Sequence, residues 1–133
     1  MAAQRHTFSK EERLRSRKVI EKIVAGGQSV FQHPFRLSWV QVEEEMKFPA
    51  QVAIAVPKKN FKKAVDRNRI KRLVREVYRK NKHGLYERCS QANLRCAMLI
   101  VFTGKVLPAY DEVEKKLLLT LRRFEDAFFK NVP

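Results

Sequence analysis

The side chains best placed to do chemistry in this chain are cations gathered on one stretch. Between Pro57 and His83 stand twelve Lys or Arg and two acids, Asp66 and Glu76, so ten of the chain's fifteen excess positive charges lie in 27 residues. Its centre reads Ala64-Val65-Asp66-Arg67-Asn68-Arg69-Ile70-Lys71-Arg72-Leu73-Val74-Arg75-Glu76. At about 100° per residue, Ile70, Leu73, Val74 and Val77 fall on one side of a helix. Asn68, Arg72, Arg75 and Arg79 fall nearly opposite, with Arg69 and Lys71 on the flanks. A generic solvated face mixes Glu with Lys so that i,i+4 pairs form. Here arginines stand beside arginines, which costs stability unless an anion is bound, and the planar guanidinium suits phosphate and base edges. The chemistry this pattern points to is nucleic-acid contact. A DNA-reading helix would need a partner helix at short spacing, and none is visible.

Residues for independent catalysis are poor. His6, His33 and His83 are scattered, and none has a Ser, Cys or carboxylate at triad or metal-site spacing. Glu43-Glu44-Glu45 would alternate in direction on a strand, which describes a solvated edge better than a metal site. Asp111, Glu112 and Glu114 fall in the first turn of a helix, where the dipole favours negative charge. Cys89 and Cys96 form no CxxC or Cys/His cluster; the expected arrangement is Cys96 opening a buried strand with Cys89 a free thiol nearby.

At 133 residues and 15.7 kDa the chain fits one domain. With 44% hydrophobic residues it can bury a core, so a net charge of +15 belongs to a folded basic domain, not to a disordered tail. The longest apolar run, Cys96 to Phe102, is far short of a membrane span, and the polar, basic start shows no secretory h-region. The expectation is a cytoplasmic protein.

The elements that must position the basic stretch follow from periodicity. A helix is expected from Ser9, a good N-cap, to Ala25, with Leu14, Ile20, Ile23 and Val24 as its apolar stripe and Gly26-Gly27 as its end. Strands are expected at Ser29 to Phe31, Phe35 to Glu43 and Gln51 to Val56. In the second, Phe35, Leu37, Trp39 and Gln41 share one face, and Arg36, Ser38, Val40 and Val42 the other. The basic helix runs from Ala64 to Asn81 and ends near Gly84. A central strand covers Arg95 to Phe102, and a last amphipathic helix Asp111 to Lys130. The order α-β-β-β-α-β-α gives an α+β fold, an α/β sandwich on a four-stranded sheet. The strand–helix–strand crossover implies parallel strands, right-handed by the general rule.

Ala64-Val65-x-Arg67-Asn68-Arg69-x-Lys71-Arg72-x-x-Arg75 closely resembles the RNR signature of the bacterial ribonuclease P protein component, and the resemblance extends over most of the chain. It implies a ribosomal-protein-S5-domain-2-like fold with an uncommon left-handed βαβ crossover. The chain is expected to form a single RNA-binding domain over 1–133, with about 1–8 and 131–133 as flexible ends. In that family the RNA subunit is the catalyst, and the protein assists removal of the 5′ leader from precursor tRNA. The implied partners are the catalytic RNA and precursor tRNA, with no membrane and no small-molecule substrate. The implied cofactor is Mg²⁺ held mainly by RNA, with no protein residue assigned to it. Arg67, Asn68, Arg69, Lys71, Arg72, Arg75 and Arg79 would meet the catalytic RNA and organise metal, and Lys58, Lys59, Lys62 and Lys63 would add phosphate contacts. A leader-binding cleft between the first helix and the sheet would use Arg13, Arg17, Ile20, Val24, Phe35, Arg36 and Trp39. This chain departs from the family there, because Ile20 and Val24 stand where stacking aromatics are common. Two rival readings remain: a purely structural RNA binder, and a protein-only metallonuclease using Asp or Glu.

Overall fold

The computed structural model describes residues 7–130; the outermost residues expected to form flexible ends lie outside these. Thr7 and Phe8 contact the fold. The Thr7 carbonyl accepts from Lys82 Nζ, and the Phe8 ring meets Tyr78 edge-on at 5.8 Å.

The first helix starts later than Ser9. Ser9 caps only a 3₁₀ turn, Lys10–Glu12, in which its N–H and hydroxyl donate to Glu12 Oε1 at 2.9 and 3.1 Å. The chain then runs extended through Arg13 and Leu14, where the Leu14 N–H donates to the Val52 carbonyl at 3.0 Å. Helix α1, Arg17–Gly26, is capped by Ser16, whose hydroxyl accepts from the Val19 N–H. A strand partner for Leu14 and a second serine cap displace the earlier start.

Strands β1 (Gln28–Gln32), β2 (Phe35–Gln41) and β3 (Ala50–Ala55) precede helix α2 (Ala64–Asn81), and helix α3 (His83–Ala92) precedes β4 (Cys96–Phe102) and α4 (Tyr110–Phe128). The sheet order is β1-β2-β4-β3. Central β4 is antiparallel to β2 (Leu37 opposite Ile100) and parallel to β3 (Val52 opposite Met98).

Helix α3 was not expected from sequence. Gly84, read as a terminator, lies in its first turn, and the helix ends at Asn93 in the left-handed region (φ 55°). At the α2–α3 joint Lys82 is buried against the Glu12 carboxylate, which also accepts from the Tyr86 hydroxyl at 2.5 Å. Leu85 and Cys89 anchor α3 from below. Cys89 and Cys96 are both buried and free, as expected.

The two faces of the sheet differ. One carries Phe35, Leu37, Trp39, Val52, Met98, Ile100 and Phe102, sealed by Ile70, Val74, Val77 and Tyr78 of α2 and by Val113, Leu117, Leu121 and Phe124 of α4. Trp39 meets Phe124 edge-on at 5.0 Å. The other face has a small buried cluster, Leu14, Ile23 and Ala97, with Ile20, Val40 and Leu99 partly buried beside it. Helix α1 covers only part of that face, which leaves a groove.

Candidate nucleic-acid interface

Burial fixes the rotation of α2. Ile70, Val74 and Val77 are fully buried, and burying three such side chains contributes about 5–9 kcal/mol. Crowding of like charges at i,i+3 and i,i+4 costs about 0.2–0.5 kcal/mol per pair, so packing wins and the arginines are held outward against their repulsion. Asn68, Arg69, Arg72 and Arg75 are exposed; Lys71 is half-buried. Leu73 is only partly buried, and Tyr78 takes the buried place that sequence gave to Leu73.

The motif cations are not equivalent. Arg67 folds back: its Nη1 donates to the carbonyls of Phe61 at 2.7 Å and Lys62 at 2.9 Å. It thereby fixes the loop that enters α2, whose N-cap position, Lys63, supplies no side-chain cap. Arg79 is matched by Glu76, with Nη2 to Oε1 at 2.5 Å and Nε to Oε2 at 3.2 Å, and Lys80 also approaches Glu76 at 3.6 Å. The Arg79 hydrogen bond leads in holding the Glu76 carboxyl below the usual range. Among the described residues no carboxylate pairs with Arg75; partial desolvation of its exposed side chain first, and Arg13 second, push its guanidinium below the ordinary value. The pairing of Arg79 was readable from Glu76 three residues earlier; the clamp by Arg67 was not, because it depends on the loop's shape.

Lys58, Lys59, Lys62 and Lys63 are exposed on the loop between β3 and α2. Phe61 anchors that loop, buried and 6.0 Å from the Phe102 ring. The loop also reaches the groove on the α1 side of the sheet, a cavity of about 760 Å³. Its apolar lining comes from Ile23, Val24, Leu99 and Val101, its cations are Arg36, Lys59 and Lys105, and Ser29, Ser38 and Asn60 add polar groups. The Ser29 and Ser38 hydroxyls pair at 2.7 Å. The basic helix and the groove are thus joined by one short loop.

Of the residues sequence assigned to a leader cleft, Val24 and Arg36 line this groove. Ile20 packs beside it, and Arg17 is exposed at the start of α1. Arg13 is exposed, with its guanidinium 5.4 Å from the Phe8 ring. Phe35 and Trp39 are corrected: both are buried on the opposite face, in the core beneath α4. Their shared face was read properly, but the face that the helices cover is the one they occupy. Ser29, Asn60, Leu99, Val101, Thr103 and Lys105 were missed, since only the pairing of β1, β2 and β4 brings them together.

Among the described residues, no three His, Cys, Asp or Glu side chains stand together where they could hold a metal ion. Glu43, Glu44 and Glu45 are all exposed beyond β2. No described helix is long and apolar enough to cross a membrane.

An α+β sandwich with an outward arginine helix beside a cation-rimmed groove defines a basic, polyanion-binding domain. The profile of the Ribonuclease P family matches residues 8–125. The "Ribonuclease P protein component" of Porphyromonas gingivalis is 33% identical over 116 residues, covering 87% of this chain and 85% of that protein. The component of the same name from Chlorobium phaeobacteroides is 31% identical over 122 residues, covering 84% of each. The RNase P protein structure from Thermotoga maritima, 26% identical, aligns with a TM-score of 0.65 over 84% of this chain and 96% of its own. The Staphylococcus aureus RNase P protein gives 0.67 at 20% identity over 87% and 97%, a likeness of fold. The chain belongs to the ribonuclease P protein component family.

Proposed function

We propose that this chain is the RNA-binding subunit of a ribonucleoprotein ribonuclease P, assisting removal of the 5′ leader from precursor tRNA while the RNA subunit carries the chemistry. Asn68, Arg69, Arg72 and Arg75 engage the catalytic RNA, with Lys71 on the flank and Arg67 holding the loop that presents Lys58, Lys59, Lys62 and Lys63 to phosphates. Arg79, already matched by Glu76, contributes less. The leader lies in the groove past Val24 and Arg36, with Ile20 beside it, while Arg13 and Arg17 are exposed outside its lining. Mg²⁺ belongs mainly to the RNA phosphates. The protein's share is electrostatic and positional: its cations displace counterions and lower the repulsion between two RNAs brought together.

The observation that carries this reading is the row of exposed motif residues on α2, whose entry loop also lines the groove. Its test is single-turnover cleavage of a 5′-extended precursor tRNA at limiting Mg²⁺. Protein alone, a bacterial catalytic RNA alone, both together, and both with a leaderless competitor are run side by side. Cleavage rising sharply only in the combined reaction, with weak competition by leaderless RNA, is the expected result. Tight RNA binding without stimulation would make the chain a structural RNA binder. Chelator-sensitive cleavage by protein alone would make it a metallonuclease.

A further inference from the structure

We infer that Cys89 and Cys96 are a dithiol pair that hydrogen peroxide oxidises to an internal disulfide, fastening helix α3 to the central strand β4. Neither residue has a part in RNA binding. Cys89 lies in the last turn of α3, and Cys96 is the first residue of β4. The turn between them is tight: the Leu94 N–H donates to the Cys89 carbonyl at 2.9 Å, and Asn93 takes the left-handed conformation. Both side chains are buried in the larger core cluster as free thiols, and the two thiols interact directly.

Two thiols in contact differ from two that are merely buried, because oxidation of one leaves the other as the nearest nucleophile. The contact also sets their order of reaction. The hydrogen bond from Cys96 outweighs burial and Glu125 and holds the Cys89 thiol below its ordinary value. The same bond, with burial, pushes Cys96 up. The thiolate is the reactive form, so Cys89 reacts first. Its sulfur attacks one peroxide oxygen, the O–O bond breaks, and the departing hydroxide takes up the Cys89 proton as water. Cys89 is then a sulfenic acid. The Cys96 sulfur attacks the Cys89 sulfur, the S–O bond breaks, and the hydroxyl leaves with the Cys96 proton as a second water. The two sulfurs together lose the electron pair that the peroxide gains.

Peroxide reaches Cys89 when α3 lifts, and α3 is lightly held. It has no side-chain cap at its start, and Glu87, Arg88, Ser90 and Gln91 are exposed. Its ties are Leu85 and Cys89 below, the Tyr86 hydroxyl on Glu12, and a surface pair between Arg88 and Glu125. Elements with few buried anchors open at lower free energy than the core, and surface pairs add little.

The test treats the reduced, folded full chain with hydrogen peroxide, denatures it in N-ethylmaleimide and weighs it intact. The expected product is a monomer about 2 Da lighter than the reduced chain, carrying no maleimide, and dithiothreitol restores both sites of labelling. In Cys96→Ala the oxidation should stop at a Cys89 sulfenic acid that dimedone captures, whereas in Cys89→Ala the Cys96 thiol should stay reduced and take one maleimide. Amides of α3 should exchange at least tenfold more slowly in the oxidised chain than in the reduced one. Two maleimides on the treated wild-type chain, or a disulfide found only between chains on a non-reducing gel, overturns the inference without reference to either variant. Oxidation of Cys96 in Cys89→Ala overturns the order of reaction, and unchanged exchange in α3 overturns the fastening.

Discussion

Cutting the buried ion pair between Glu12 and Lys82 should destabilise the fold far more than any change on the basic surface. Glu12 is 1% exposed and Lys82 3%. The carboxylate also accepts from the Tyr86 hydroxyl at 2.5 Å and the Ser9 N–H at 2.9 Å, so its lone pairs are well used. Lys82→Met leaves that carboxylate buried without its counter-charge, a loss worth about 3–5 kcal/mol. At an intermediate 3–5 °C per kcal/mol for a domain of this size, Tm should fall by roughly 9–25 °C. Glu12→Gln strands the ammonium and should cost a similar amount. The double variant should cost well under the sum of the two, because neither charge is left alone. Urea unfolding followed by circular dichroism supplies all three values. Acid adds an independent check. Burial alone would raise the Glu12 carboxyl, but hydrogen bonds from Lys82, Tyr86 and Ser9 outweigh it and hold it below the usual 4.5. A carboxyl depressed in the folded state contributes stability above its unfolded value, and that contribution is lost as pH falls through the folded one. The urea midpoint should therefore drop below about pH 4.5, and the drop should be shallower in Glu12→Gln. A cost below about 1 kcal/mol for Lys82→Met, or singles that simply add, would refute the reasoning.

The surface cations should behave differently. Arg72→Ala and Arg75→Ala should change stability by less than about 0.5 kcal/mol while weakening RNA binding in a filter assay, and Arg79→Ala should weaken it less, because Glu76 already matches that charge. Arg67→Ala removes two hydrogen bonds to the loop carbonyls and should cost about 1–2 kcal/mol, with faster amide exchange over Lys58 to Lys63. Gly27→Ala would put a methyl 2.7 Å from the Ile23 carbonyl oxygen and 2.9 Å from that of Trp39, and should cost about 1–3 kcal/mol in urea unfolding. Gly26→Ala meets nothing within 4 Å and should be neutral or slightly stabilising, which makes it the control.

Local pattern carried much of the architecture. The rotation of α2 was legible because buried and charged side chains alternate with helical period along one continuous segment. The central place of β4 was legible from its unbroken apolar run. What was hidden depends on partners far along the chain. Helix α3 follows a joint at which a lysine is buried, and the carboxylate that allows it lies 70 positions earlier. The start of α1 was misplaced because Leu14 bonds to Val52, a contact no local rule anticipates. Phe35 and Trp39 show the limit most clearly: period-two alternation groups them, yet only the packing of α2 and α4 on one side of the sheet decides which group is core. The groove shares that cause, since its lining comes from three strands, a helix and two loops.

That one-sided packing also separates the core from the charge in a chain of net charge +15. The apolar face and its helices supply the core, and α1, covering half of the second face, leaves the groove and the loop beside it free to collect charge. Crowding among the α2 arginines costs a few tenths of a kcal/mol per pair, small beside the burial that fixes the helix, so the free protein holds a repulsive surface in readiness for phosphate. Salt must then act with opposite signs on two measurements. Screening relieves repulsion among exposed cations, so added salt should raise the urea midpoint of the free protein slightly. The same salt competes with RNA for those cations and should lower affinity steeply, by roughly 0.7–0.9 log units per log unit for each phosphate held. Neutralising Arg72 and Arg75 together should shrink both responses, because one set of charges produces them. If the stability response survived that double change while the binding response fell, the repulsion would reside elsewhere on the molecule, and the arginines of α2 would not be the surface that RNA relieves.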